Sequence, residues 1–181
     1  MGAIAEFFGH LYLNSIGFNQ ECLYLNLEEG SFKKGFDGFY SKSDEEWIYE
    51  SKSGSINTKN ISHQEKINDA YNDLNKKISG QVKNNPWQNA YHHANLKDVD
   101  CSEDILKILR SLSEEFIQGI YHNIKDFNIV PSSTLFLEGN WNDIDAAILI
   151  PEIKKILQKI SYKKIHIICI NKLSIQLFWE Y

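Results

Sequence analysis

"GFDGFYSKSDEEWIYESKSG", residues 35–54, reads as two strands joined by a polar turn, with acids set among aromatic side chains. The first strand, 35–41, carries Phe36, Phe39 and Tyr40. The second, 46–53, carries Trp47, Ile48 and Tyr49, and a turn over 41–45 joins them. Aromatic and β-branched residues bounded by Ser, Lys and Asp are the pattern of a hairpin. Successive side chains of a strand point to opposite faces, so Ile48, Glu50 and Lys52 share one face and Trp47, Tyr49 and Ser51 the other. On the first strand Asp37 and Phe39 share a face. With suitable pairing, Asp37 and Glu50 are expected to converge at one end of the sheet.

Upstream, "GAIAEFFGHLYLNSI" (2–16) predicts a helix with Ile4, Phe8, Leu11 and Ser15 along one stripe. Gly2 and Gly9, seven residues apart, would let that helix pack closely on a sheet, and Gly17 is its stop signal. "ECLYLNLEE" (21–29) reads as a strand, so a three-strand meander should follow the first helix. Downstream, Ser62 is placed to cap a helix over 63–79 with Glu65 at the capping-box position, and Gly80 ends it. Pro86 opens a short helix, "PWQNAYHHANL". Ser102 begins a long amphipathic one over 103–124, with Ile105, Leu109, Leu112, Phe116 and Ile120 near helical spacing. The last third alternates strands (133–139, 164–171, 174–181) with a helix around 152–160. No repeat or linker interrupts the pattern, which predicts one α/β domain over residues 1–181.

Composition agrees with a globular chain. Of 181 residues, 43% are hydrophobic and 24% charged, far from a disordered balance. Cys22, Cys101 and Cys169 are few, odd in number and widely spaced, and read as free thiols in a reducing cytoplasm. No basic segment precedes an apolar stretch at the N-terminus, and no apolar run approaches spanning length, so no membrane association is expected. The net charge of −5 weighs against unaided nucleic-acid binding, because phosphate contacts dominate that affinity. A chain of this charge needs a metal, a local basic patch or a basic partner.

Two carboxylates held close repel each other, and a divalent cation is the usual relief. Oxygen ligands suit Mg²⁺, or Mn²⁺ in its place. Lys52 would then sit where it orients or deprotonates a water and offsets phosphate charge, the equipment of phosphodiester hydrolysis. The arrangement Asp37…Glu50-Ser51-Lys52, on adjacent strands after a helix, resembles the PD-(D/E)XK nuclease superfamily. The resemblance covers roughly residues 2–80 and implies a restriction-endonuclease-like αβββα core with a mixed sheet flanked by helices. It also implies a first-helix glutamate in the metal site, which Glu6 matches. Phe36 stands where the eponymous proline would be, and the acid is unaffected. More narrowly, "KGFDGFY" followed by "WIYESKS" looks like the nuclease component of Hachiman-type anti-phage defence.

Other residues are weaker candidates. His63 and Gln64 open the helix after the Glu50–Lys52 strand, near the same end of the sheet. Gln88 and Tyr91 resemble a supporting Gln and aromatic of some of these nucleases, but Gln88-x-x-Tyr91 is one residue short of QxxxY. The plainer reading has Trp87, Tyr91 and Leu96 packed inward and His92 and His93 solvated. Lys33, Lys34, Lys76, Lys77 and Lys83 would form a modest basic rim, or merely solubilising charge. There is no paired Cys/His spacing for zinc, and no GxSxG, P-loop or GxGxxG.

The resemblance thus implies an Mg²⁺-dependent nuclease, with DNA the favoured substrate, in prokaryotic defence or restriction. Glu6, Asp37 and Glu50 would hold the metal and Lys52 would assist the water. A larger partner such as a helicase fits the small size and net acidity. The rival is a catalytically silent nuclease-fold module that binds a protein or nucleic acid. Because the site positions are polar and near a cleft edge, alanine at Glu50 or Lys52 is expected to leave stability largely intact.

Overall fold

The computed structural model describes residues 2–21, 35–95 and 101–173. The strand expected over 21–29 (apart from Glu21), the one over 174–181, Leu96 and the Lys33-Lys34 pair lie outside the described residues. The order is α1 (Gly2–Ser15), β1 (Asn19–Gln20), β2 (Gly38–Lys42), β3 (Glu45–Ser55), α2 (His63–Ile78), α3 (Pro86–Ala94), α4 (Glu103–Ile117), β4 (Asn128–Leu137), α5 (Ala146–Leu157), β5 (Lys164–Ile165) and β6 (Ile168–Leu173). A 3-10 turn, Ile124–Asp126, precedes β4. The strands form one mixed sheet in the order β1-β2-β3-β4-β5, with β6 also paired to β4. β1, β2 and β3 are antiparallel, whereas β4 runs parallel to β3, β5 and β6. The protein is therefore α/β, with helices on both faces of a mixed sheet.

The β2–β3 hairpin turns on only two residues, Ser43 and Asp44, both in the left-handed region at φ 51° and 60°. Such a turn matches the right-handed twist of the strands it joins. It fixes the register, pairing Gly38 with Tyr49, Phe39 with Ile48 and Tyr40 with Trp47. One face of the sheet buries Phe39, Ile48 and Ile129 against Leu74, Ile78, Trp87 and Leu109 from α2, α3 and α4. The other buries Tyr40, Trp47, Tyr49 and Val130 with Leu13 of α1 and Phe18.

Capping follows the sequence. Ser62, Asn85 and Ser102 each accept backbone N–H bonds at the starts of α2, α3 and α4, and Gly80 at φ 73° follows the end of α2. Two expectations are corrected. The buried stripe of α1 is Ala5, Gly9, His10 and Leu13, while Leu11 is 48% exposed. A Cβ on Gly9 would lie 1.8 Å from the Tyr49 hydroxyl, so at that point of the stripe the sheet leaves no room for a side chain. Gly2 has nothing near its Cβ position and plays no such part. Likewise α4 stops at Ile117, because Gly119 turns the chain at φ 76° and leaves Ile120 50% exposed.

Candidate active site

Strand alternation carries the site as expected. Glu50 and Lys52 stand on the face that α2 covers, in the row that β4 continues with Pro131 and Ser133. Glu50 is 1% exposed, and both its oxygens are engaged. Lys52 Nζ donates to Oε1 at 2.9 Å and Lys77 Nζ of α2 donates to Oε2 at 2.5 Å. Lys52 also reaches Asp73 of α2, its Nζ 2.5 Å from Oδ2. The result is a chain of alternating charges, Lys77–Glu50–Lys52–Asp73, locking β3 to α2.

Asp37 lies one residue before β2, at the end of the hairpin ladder. Its backbone N–H donates to Tyr49 O at 3.2 Å, and its Oδ2 accepts the Ser51 N–H at 2.8 Å, so the carboxylate takes the place of the next ladder carbonyl. From that end position it faces charges from both sides of the sheet. Burial, then the neighbouring Glu50, then Glu6 push the Asp37 carboxyl up to about 8, while Lys77 and the Ser51 N–H pull the other way. Glu6 is half-buried on α1, one residue from the Ala5–Gly9 stripe, and its charge also acts on the Tyr49 hydroxyl. Asp37 thus feels the charges of both Glu50 and Glu6, and Lys52 is bonded to Glu50.

Burial works against the Lys52 charge, but Glu50 and Asp73 outweigh it and hold the ammonium above its ordinary range. A lysine so held orients and neutralises; it is a poor proton acceptor. Glu50 is also no loosely held cleft-edge residue. Alanine there would strand two ammonium groups beside a buried space, and removing one partner of a buried pair is strongly destabilising. That corrects the expectation that stability would be indifferent to the change.

The second-tier residues separate. His63 is 8% exposed and bridges β4 and β6, its Nδ1 2.8 Å from Ser133 Oγ and its Nε2 3.0 Å from Asn171 Oδ1. Because an amide oxygen only accepts, Nε2 carries the proton and Nδ1 accepts from the Ser133 hydroxyl. Burial lowers the His63 pKa, partly offset by Asn171. The order Ser–His–Asn has the form of a nucleophile and its base, yet Ser133 is 0% exposed and cannot meet a substrate. The trio pins the start of α2 to the sheet. Gln64 is half-buried beside it, and Gln88 is exposed on α3, where Trp87 is buried and Tyr91 packs on the core as the plainer reading had it. Lys76 and Lys83 are exposed, but Lys77 is turned inward and is no part of a basic rim.

Lys77 and Asp73 are the residues that sequence reasoning missed. They stand four apart on α2, flanking its buried stripe Ala70–Leu74–Ile78, a spacing that points both at the sheet.

The donor set suits a hard divalent cation. It consists of carboxylates, crowded closely enough that repulsion contributes to the rise of Asp37. A bound cation would reverse that effect. Among the described residues, however, no three His, Cys, Asp or Glu side chains are arranged to hold a metal ion as they stand. Two ammonium groups already bond the Glu50 oxygens, and a cation would compete with them there. No protein-family model matches the chain, and no curated protein matches it either. No described helix is long and apolar enough to cross a membrane.

Proposed function

We propose that the protein is a divalent-metal-dependent nuclease with a restriction-endonuclease-like core, acting on phosphodiester bonds with DNA the favoured substrate. The observation that supports this reading is that Asp37 feels acids from two other elements, one of them bonded to a strand lysine. Asp37 from the end of β2 feels both Glu50 of β3 and Glu6 of α1, and Lys52 is bonded to Glu50. The resemblance in sequence extends the reading to prokaryotic defence or restriction, with a larger protein such as a helicase as partner.

Asp37 and Glu50 would hold Mg²⁺ or Mn²⁺, with Glu6 completing the set. When bound, such a cation polarises a phosphoryl oxygen and lowers the pKa of a coordinated water. The chain supplies the rest. Ser51 N–H fixes the Asp37 carboxylate by its Oδ2. Asp73 steadies the Lys52 ammonium, whose positive charge would orient the attacking water and offset charge building on the phosphate.

The rival reading, a catalytically silent module, is favoured by one observation: both Glu50 oxygens are satisfied by lysines without any metal. Cleavage decides between them. Plasmid, linear duplex and single-stranded DNA should be cut in Mg²⁺ and spared in EDTA. Lys52→Ala and Glu50→Gln should each cut about 10²–10⁴-fold more slowly, the usual weight of a positioning or acid–base group. If both folded variants cut as fast as wild type, the acids and lysine are structural and the silent-module reading stands.

A further inference from the structure

The lysine named by the sequence motif is not the only one bonded to Glu50. Lys52 bonds Glu50 Oε1 and leans away toward Asp73, whereas Lys77 bonds Oε2 at 2.5 Å. Lys77 approaches from α2 at 15% side-chain exposure, with its Nζ 5.9 Å above the centre of the Phe36 ring. The lysine head thus sits against the Glu50 carboxylate and near the ring of Phe36, the residue that precedes Asp37.

We propose that Lys77 is a built-in counter-ion that occupies the cation position on Glu50 Oε2, and that a divalent cation enters by exchanging with it. This rests on the metal-dependent reading of the site. The physical argument is one of competing charges. A buried carboxylate such as Glu50 needs a partner at all times, and an oxygen already accepting a charged hydrogen bond is a poor ligand until that bond breaks. Lys77 satisfies Oε2 in the absence of metal. Its flexible four-carbon stem lets the ammonium withdraw along the Phe36 ring without moving α2. Lys52 has no need to leave, since Glu50 Oε1 and Asp73 hold it together. The freed Lys77 ammonium would remain beside the acids, where a substrate phosphate must also come.

A purely structural lysine predicts the opposite result on removal. If Lys77 only kept Glu50 in place, its loss would loosen the ligand and weaken metal binding. Under exchange, its loss removes a competitor and strengthens binding. The test is titration of the full chain with Mn²⁺ alone, free ion being read from its electron paramagnetic resonance signal. Wild type, Lys77→Met, Lys52→Met and Glu50→Gln are compared at one pH and salt concentration, each checked for folding by circular dichroism. Lys77→Met should bind Mn²⁺ about tenfold to a hundredfold more tightly than wild type, the weight of one charged hydrogen bond. Lys52→Met, which deletes the same charge from the same carboxylate, should gain much less. Glu50→Gln should lose binding. Should Lys77→Met fail to fold, Lys77→Gln keeps a neutral donor to Glu50 and should move affinity the same way.

Equal or weaker binding by the folded Lys77 variant would overturn the exchange, as would an equal gain in Lys52→Met, which would mean mere loss of positive charge. Mn²⁺ binding by Lys77→Met where wild type binds none supports it most directly. If neither protein binds Mn²⁺, the metal-dependent reading itself fails and takes this inference with it. Wild-type binding without a Lys77 effect removes only the inference.

Discussion

At the scale of single residues, Asp37 carries the sharpest consequence. The unfolded chain ionises this carboxyl near its ordinary value of 3.8, but burial, Glu50 and Glu6 hold it protonated in the folded protein up to about 8. Between those values the folded state binds a proton that the unfolded state has lost. Its contribution is therefore full at low pH and disappears as pH rises through about 8. Metal-free protein should lose stability from this group on going from pH 5 to pH 8 in EDTA. Asp37→Asn keeps an oxygen for the Ser51 N–H and removes the ionisation, so its urea midpoint should show a shallower fall across the same range. Parallel curves for the two proteins would mean that Asp37 does not carry the strain. Asp37, Glu50 and Lys52 were legible in the sequence because strand alternation is a local rule. Asp73 and Lys77 were not, since their role depends on how α2 is rotated above β3, a packing fact that no window of sequence contains.

Elements repeat the lesson in another form. The hairpin was readable because its aromatic strands flank a polar turn, although the turn proved to be the two residues Ser43 and Asp44. Helix starts were readable because Ser62, Asn85 and Ser102 cap through their own side chains. The face of α1 was not. Hydrophobic periodicity selected Ile4, Phe8 and Leu11, whereas the sheet, already filled by Tyr40 and Tyr49, meets the helix through Ala5, Gly9, His10 and Leu13. Glu6, whose charge acts on Asp37, stands about one turn before Gly9 on the same helix. Gly9→Ala should therefore test both packing and site. Its Cβ would fall 1.8 Å from the Tyr49 hydroxyl and 2.7 Å from the ring carbon that bears it, so something must move. Overpacking of this kind costs about 1–3 kcal/mol. Thermal unfolding should report that loss, and cleavage should fall as α1 lifts Glu6 from the cluster. Gly2→Ala, with open space around it, is the control and should be neutral. If Gly9→Ala were as stable as Gly2→Ala, the close approach would not be a constraint.

For the whole molecule, the position of the acids matters more than their number. The sheet has a core on each face, one beneath α1 and one beneath α2, α3 and α4. Asp37 stands at the end of β2, where the ladder stops and both layers come within reach. Asp37 there feels Glu6 from one layer and Glu50, tied to α2, from the other. A cation bound there would bridge the two layers, and by linkage any ligand that binds only the folded state stabilises it by an amount set by its concentration over its dissociation constant. At about a hundred times that constant the gain is about 2.7 kcal/mol. For a chain of this size each kcal/mol moves the melting temperature by roughly 2–4 °C, so saturating Mg²⁺ or Mn²⁺ should raise Tm by roughly 5–10 °C over EDTA. The rise should exceed that produced by the same ionic strength of NaCl, because general screening does not depend on valence-specific coordination. Asp37→Asn and Glu50→Gln should abolish the specific part, and Gln88→Ala, exposed on α3, should leave it intact. A cation effect that persists in both acid variants would belong to some other surface of the protein. Absence of any effect in wild type at millimolar metal would leave the acids without a ligand, and the alternating chain Lys77–Glu50–Lys52–Asp73 would then be a structural clasp between β3 and α2.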